Sequence, residues 1–257
     1  MTNTAPAVKI AVIIPTLNEE QALPATLTHA ARLGFDEVLV VDGGSNDRTL
    51  EIVRSFGSAS RGERREGRGS SFSSSPVPLA MCPRLLAAAA GRAKQMNTGA
   101  AHTAADALVF LHADTQLPPN AWEAIKAALA EPACVGGRFD LRFERDAGWA
   151  WLIARLISLR SRLSGIATGD QALFVRRSIF DQLGGFADIP LMEDVDFTRR
   201  LKRLGRTAAL RETVTTSFRR WEQCGALRTI CLMWALRFLY WIGIHPDRLH
   251  RFYIAIR

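Results

Sequence analysis

A histidine, one spacer and an aspartate close an apolar run in the stretch "LVFLHADTQLPP". Leu108 to Leu111 read as a buried strand that delivers His112 and Asp114 to its C-terminal edge. An imidazole and a carboxylate so placed can share a divalent metal ion. They can equally be a polar strand end meeting water. Which of the two applies depends on what else reaches that edge.

The flanking segments alternate between strand and helix. "KIAVIIPT" is a β-branched run halted at Pro15, and "DEVLVVDGG" is a second strand ending in Asp42 and two glycines. Between them, "EEQALPATLTHAARLG" reads as a helix closed by Gly34. "SNDRTLEIVRSFG" opens with Ser45, Asn46 and Asp47, good N-cap residues, and reads as the next helix. Such a βαβα series predicts an α/β fold with a Rossmann-like, mostly parallel central sheet flanked by helices. Open sheets of that kind bind ligands beyond the carboxyl ends of their strands.

Residues 55–75 hold eight Ser, four Gly, four Arg and two Glu among 21 positions, the composition of a flexible, solvated insertion. A short strand is expected near Val77–Met81, and "LLAAAAGRAKQMNTGAAHTAA" has helical propensity. Further on, the patterns predict a helix over 120–130, a strand in "CVGGRFDLRF", an apolar helix in "WAWLIARLISLRSRL" and a strand, short helix and glycine turn in "ALFVRRSIFDQLGGF". "MEDVDFTRRLKRLG" is a helix with acids first and bases last, as the macrodipole favours. The whole, residues 1–257, is expected to be a single domain with a C-terminal apolar and basic segment at 225–257.

The formal net charge is +8. From Phe197 to Arg257 there are 13 Lys+Arg against three Asp+Glu, so this end carries the basic excess. Anionic partners are implied. Two tyrosines, no aromatic–basic RNA-binding signature and no zinc-finger spacing argue against nucleic acid. Cys82, Cys134, Cys224 and Cys231 form no CxxC pair, and the N-terminus lacks the pattern of a signal peptide. Free thiols and a cytoplasmic location are therefore expected.

Six pieces now stand in order: "IIPTLNEE", "VVDGGSNDRT", "GRAKQMNTGA", "FLHADT", "TGDQALFVRRSIFDQLGGF" and "MEDVDFTRRLKRLG". Together the chain resembles the family 2 glycosyltransferases, inverting enzymes of GT-A fold, over nearly its whole length except the Ser-rich segment. The resemblance implies a nucleotide-sugar donor, UDP-linked, and a divalent cofactor, Mg²⁺ or Mn²⁺. Pro15 and Thr16 then end the first strand where the nucleotide base is seated. Glu19 and Asp42 are acceptors suited to base N–H or ribose hydroxyl groups, although Glu19 and Asp47 also suit helix capping. A second acid common in the family is replaced here by Gly43. Arg92 and Lys94 would meet the pyrophosphate with help from Asn97, or else form a solvated helix face.

Many relatives end the fourth strand in Asp-x-Asp, whose acids hold the metal. Asp114 matches the second acid, and His112 stands in place of the first, as a metal ligand or as a contact to ribose or phosphate. Glu193 and Asp194 match the acceptor-side acids. Asp194 is assigned as general base and Glu193 as its neighbour in orientation and hydroxyl binding. Thr168, Gly169, Asp170 and Gln171 read as acceptor or sugar contacts. "FRRWEQ" resembles an Arg-x-Trp element that would bring Arg220 and Trp221 to the diphosphate, though a structural stack explains it equally.

Thr229 to Ile244 is nearly all apolar but too short to span a bilayer, which takes about 20 residues. Trp234, Tyr240 and Trp241 among arginines fit an interfacial helix on an anionic leaflet, and residues 149–163 have the same character. Burial in a core or a dimer contact would also account for them. Peripheral attachment to the inner face of the cell membrane would go with a lipophilic acceptor, such as a polyprenyl phosphate or a carotenoid acid. Two rival readings are a sugar-phosphate nucleotidyltransferase, whose Gly-rich, Arg-containing loop "PTLNEE" lacks, and a weakened homologue acting as an interaction protein.

Overall fold

A computed structural model of the chain describes residues 8–60, 82–219 and 225–256. Strands β1 (Ile10–Thr16), β2 (Glu37–Asp42), β3 (Arg84–Ala87), β4 (Ala107–Phe110), β5 (Thr115–Gln116), β6 (Cys134–Phe143), β7 (Leu173–Arg176) and β8 (Arg206–Thr216) form one sheet in the order β3-β2-β1-β4-β7-β6-β8-β5. The first four pair in parallel. Beyond them β7 runs antiparallel to both β4 and β6, and β5 antiparallel to β8, while β6 and β8 pair in parallel, so four of the seven pairings are parallel.

Every residue of β1 is buried. Alternate residues supply the two faces, as period-2 geometry requires. Ile10, Val12 and Ile14 join one apolar cluster, and Ala11 and Ile13 the other. Helices α1 (Leu23–Ala30), α2 (Thr49–Ser60), α3 (Arg92–Ala101), α4 (Ala121–Ala130), α5 (Trp149–Ser164), α6 (Arg177–Gln182) and α7 (Glu193–Leu201) flank the sheet. Helices α8 (Ala226–Trp241) and α9 (Pro246–Ile256) follow. Leu236 and Leu249 from these two pack on Leu191 and Met192, which lead directly into α7.

Two expectations need correction, and one lies outside the described residues. The strand expected near Val77–Met81 lies outside the described residues; β3 lies at Arg84–Ala87, at the start of a stretch read as helix. Its Leu39↔Arg84 to Asp42↔Ala87 pairing with β2 overrides the helical propensity of "LLAAAA". Helix α3 starts only after Gly91, whose φ of 132° suits glycine alone. The insertion at 55–75 begins as helix, since α2 runs to Ser60, and its remainder, 61–75, lies outside the described residues.

Candidate active site

Four strand ends and loops meet at one edge. Parallel pairing sets Thr16 beside Asp42, and antiparallel pairing sets Phe110 beside Leu173. The second register lays the 3-10 turn Gly169–Gln171, just before β7, against His112 just after β4. Contact is close enough that a Cβ on Gly169 would sit 2.4 Å from His112 Nε2. A side chain at 169 would therefore have to displace the His112 ring.

On the donor side, most of the polar groups serve the fold. Asp42 is buried, and its Oδ2 accepts the amides of Gly44 (2.8 Å) and Ser45 (2.9 Å). Its Oδ1 accepts the Ser45 hydroxyl. Asp42 thus shapes its own turn first. Asp47 accepts the amides of Thr49 and Glu20, the capping role, and these bonds hold its pKa below the ordinary value although burial opposes them. The Glu19 amide donates to Thr49 Oγ1 at 2.9 Å.

Asn97 is a structural tie: its Oδ1 accepts the Phe186 amide (2.9 Å) and its Nδ2 donates to the Phe186 carbonyl (2.8 Å). Buried Gln95, which sequence reasoning passed over, donates to the carbonyls of Thr16 (2.7 Å) and Val41 (2.8 Å). A Cβ at Gly43 would lie 3.0 Å from Gln95 Nε2, a close approach that favours glycine there. Lys94 stands exposed, 3.7 Å from Asp188.

On the acceptor side, α7 starts at a left-handed residue, Met192 with φ 69°. Strain of this kind costs about 1–3 kcal/mol and persists only where packing enforces it. Here the packing comes from Leu236 and Leu249. Within α7 itself, Phe197 joins a ring cluster with Phe110, Phe180 and Phe186. Asp194 is fixed by two amides, Gly169 N on Oδ2 and Val195 N on Oδ1, both at 2.7 Å. Buried Glu193 takes the half-exposed Arg92 on Oε1 at 2.9 Å, while its Oε2 is buried without a partner. Burial raises the Glu193 pKa; Arg92 pulls the other way and Asp194 adds to the rise. Asp170 Oδ1 is likewise buried and unpaired. Buried Gln171 is structural, holding the Thr168 amide and the Phe139 carbonyl.

His112 lies within electrostatic reach of both halves. Burial lowers its pKa, Arg92 lowers it further, and Asp114, Asp170 and Asp194 oppose. The ring is therefore a neutral imidazole near pH 7, able to ligate or accept. Among the described residues the Asp114 carboxylate accepts only from the distant Thr115 hydroxyl, at 3.4 Å. Among the described residues no three His, Cys, Asp or Glu side chains gather as a complete metal site. Arg220 and Trp221 lie outside the described residues.

A mixed sheet with acids on the loop after β4 and at the start of α7 can be compared with known proteins. Residues 11–71 and 85–187, more than half of the chain, match the model of glycosyl transferase family 2. The chain belongs to that family. The matched span stops before Glu193, so the acid pair rests on its place in the fold. A 4,4'-diaponeurosporenoate glycosyltransferase of Staphylococcus haemolyticus is 32% identical over 42% of this chain and 24% of its own length. An undecaprenyl-phosphate 4-deoxy-4-formamido-L-arabinose transferase of Pseudomonas aeruginosa is 29% identical over 68% of this chain and 49% of its own. The chain thus spans half or less of the length of these curated relatives.

Among solved structures, the glucosyl-3-phosphoglycerate synthase of Mycobacterium tuberculosis, in complex with Mn²⁺, UDP and phosphoglyceric acid, superposes with a TM-score of 0.58. It covers 93% of this chain and 80% of that one at 19% identity. That likeness establishes the GT-A type of fold for this family 2 member.

Proposed function

We propose that the chain transfers a glycosyl group, with inversion, from a nucleoside diphosphate sugar, UDP-linked, to a lipophilic acceptor. One observation carries the reading: the β4–β7 register brings His112 against the turn whose Gly169 amide binds Asp194, so donor-side and acceptor-side groups share one edge. Asp194 takes the acceptor's proton as its oxygen attacks; its two amide bonds fix its direction and leave each oxygen a second lone pair. Glu193 orients hydroxyl groups through its unpaired oxygen.

Asp114 and His112 fit a divalent ion as a partial ligand set, one weakly engaged carboxylate and one neutral imidazole, which suits Mn²⁺ better than Mg²⁺. Such an ion, when bound, neutralises charge on the leaving diphosphate. Arg92 and Lys94 stand at the start of α3, on the diphosphate side.

Support for a lipophilic acceptor comes from the surface. Helix α5 buries its small residues Ala150, Ala154, Ser158 and Ser161, along with Ile153, and exposes Trp149, Trp151, Leu156, Leu159 and Leu163. Large apolar side chains outward and small ones inward reverse the usual order. Helix α8 exposes Trp234, Phe238 and Trp241 in the same way. No helix of the described residues is long and apolar enough to cross a membrane. Peripheral seating on an anionic leaflet suits these faces and the basic C-terminal third.

Calorimetry of UDP and GDP, with and without Mn²⁺, tests the donor half. Binding of UDP that strengthens with Mn²⁺ and loses that gain in Asp114→Ala is expected. Absence of binding by either nucleotide would refute the reading; metal-independent binding would remove the metal alone.

A further inference from the structure

Three arginines lie where β6 meets α5, and two are spoken for. Arg162 Nη2 donates to Asp140 at 2.7 Å and to the Leu210 carbonyl at 3.0 Å, and Nη1 to the Ala209 carbonyl at 3.0 Å. Buried Arg138 donates from Nε to Ser161 Oγ and from Nη1 to the Ala208 carbonyl at 3.4 Å. Arg160 differs. Its Nε and Nη2 are buried and meet no acceptor. The charges within its reach are Arg237 on α8 and Arg138 on one side and Asp170 and Asp194 on the other. Burial, then Arg237, draws its pKa down to about 10, so it remains a cation at neutral pH. Arg237 has no ion pair among the described residues.

An unpaired guanidinium beside a second cation is unfavourable in the free protein. A bidentate oxyanion relieves both faults, because the planar fork matches carboxylate and phosphate geometry. The surroundings describe the rest of such a ligand. On α5, Arg160 is bracketed by exposed Leu156, Leu159 and Leu163; on α8, Arg237 is bracketed by exposed Trp234, Phe238 and Trp241. A charged head thus has an apolar exit on both flanks.

We propose that Arg160 and Arg237 form a binding site for the anionic head of an amphiphile, a phosphate monoester or a carboxylate, with its tail lying along the apolar flanks of α5 and α8. Placing this ligand as the acceptor rests on the transferase reading, since Asp170 and Asp194 adjoin the site; the anion site itself does not.

The test uses the full chain and neutral phosphatidylcholine vesicles doped with polyprenyl phosphate, a long-chain fatty acid, polyprenol or phosphatidylglycerol. The wild type should prefer one of the first two over polyprenol, and which one identifies the head. Arg160→Met and Arg237→Met should each weaken that preference by roughly 10- to 100-fold, with UDP affinity unchanged. Arg160→Lys, which keeps charge but not the fork, should fall between. The melting temperature of Arg160→Met should rise, by roughly 2–4 °C, because buried guanidinium nitrogens without a hydrogen-bond acceptor have been removed. A lowered melting temperature with vesicle preference intact would make Arg160 structural and overturn the site. Equal losses on phosphatidylglycerol would also overturn it, by showing only general attraction to a charged surface. Failure of nucleotide binding, by contrast, would sink the transferase reading and leave this result standing.

Discussion

The two halves of the site are built differently. Around the ends of β1 and β2 the inward polar side chains are bonded: Asp42 to its own turn, Asp47 to the start of α2, Gln95 to two strand-end carbonyls and Asn97 to Phe186. Around the Gly169–Gln171 turn, α5 and α7 several inward polar atoms are not, although Gln171 and Asp194 are. Among the described residues, and apart from Trp122 Nε1, the buried side-chain atoms left without a partner all belong to Arg160, Thr168, Asp170 and Glu193. Such atoms cost about 1–3 kcal/mol each when nothing else satisfies them. The donor side is therefore a preformed frame, and the acceptor side holds its polar groups ready for a ligand. Arg92 joins the two, standing at the start of α3 with its guanidinium on Glu193.

Substitutions on the acceptor side should then damage activity, and those on the donor side stability. The largest effect is expected at Asp194. Asp194→Asn should lower turnover by roughly 10²–10⁴-fold while nucleotide affinity stays near wild type. Glu193→Gln should lose less. Steady-state kinetics beside calorimetry separates the two, and the opposite ranking would exchange their roles.

Next in size is Gln95→Ala. It removes two buried hydrogen bonds and opens a cavity between α3 and the strand ends, for a loss of about 2–4 kcal/mol by chemical denaturation. A stability loss below about 0.5 kcal/mol would show that the frame does not depend on it.

A pH profile sharpens the contrast further. Burial, the leading cause, raises the Glu193 pKa, so the folded state holds that proton more tightly than the unfolded chain. The resulting penalty is absent below the ordinary carboxylate value of 4.5, grows as pH rises through that value and is complete above the raised one. Glu193→Gln should match wild type in melting temperature at low pH and gain on it as pH increases through this window. A constant difference would mean that Arg92 offsets the burial entirely.

The frame was legible in the sequence because its signals are local. The β-branched run of β1 and the Asp-Gly-Gly stop after β2 announce buried strands whatever surrounds them. Strand β3 was hidden because "LLAAAA" favours helix until β2 offers it a partner. Strand β8 was missed because its largely half-buried residues give no clean alternation. His112, Asp170, Asp194 and Glu193 were named from sequence, and the structure gathers them at one edge. Whether a polar residue is already satisfied was not legible. Asn97 and Gln171 look like ligand contacts by type, and only the partners placed by distant segments show that they hold the fold. Arg160 is the converse case. Its one early sign was a cation within an apolar helix, and its meaning depends on α8, some 70 residues further along.

The smallest stability effect, and the finest test of the comparison, is at Lys94. Its ammonium lies 3.7 Å from Asp188, with both side chains well exposed. Exposed pairs of this kind contribute about 0–1 kcal/mol, so Lys94→Gln should leave the melting temperature almost unchanged. It is nonetheless the donor-side cation least committed to the fold. The four-carbon stem lets the charge swing from Asp188 toward a diphosphate at the start of α3 at little cost. The variant should therefore weaken UDP binding several-fold, and the difference from wild type should shrink at high salt, where screening removes the attraction. Uridine, which lacks the diphosphate, should bind the two proteins alike. Equal UDP affinity at low salt would confine Lys94 to the solvated face of α3 and leave Arg92 to meet the diphosphate there.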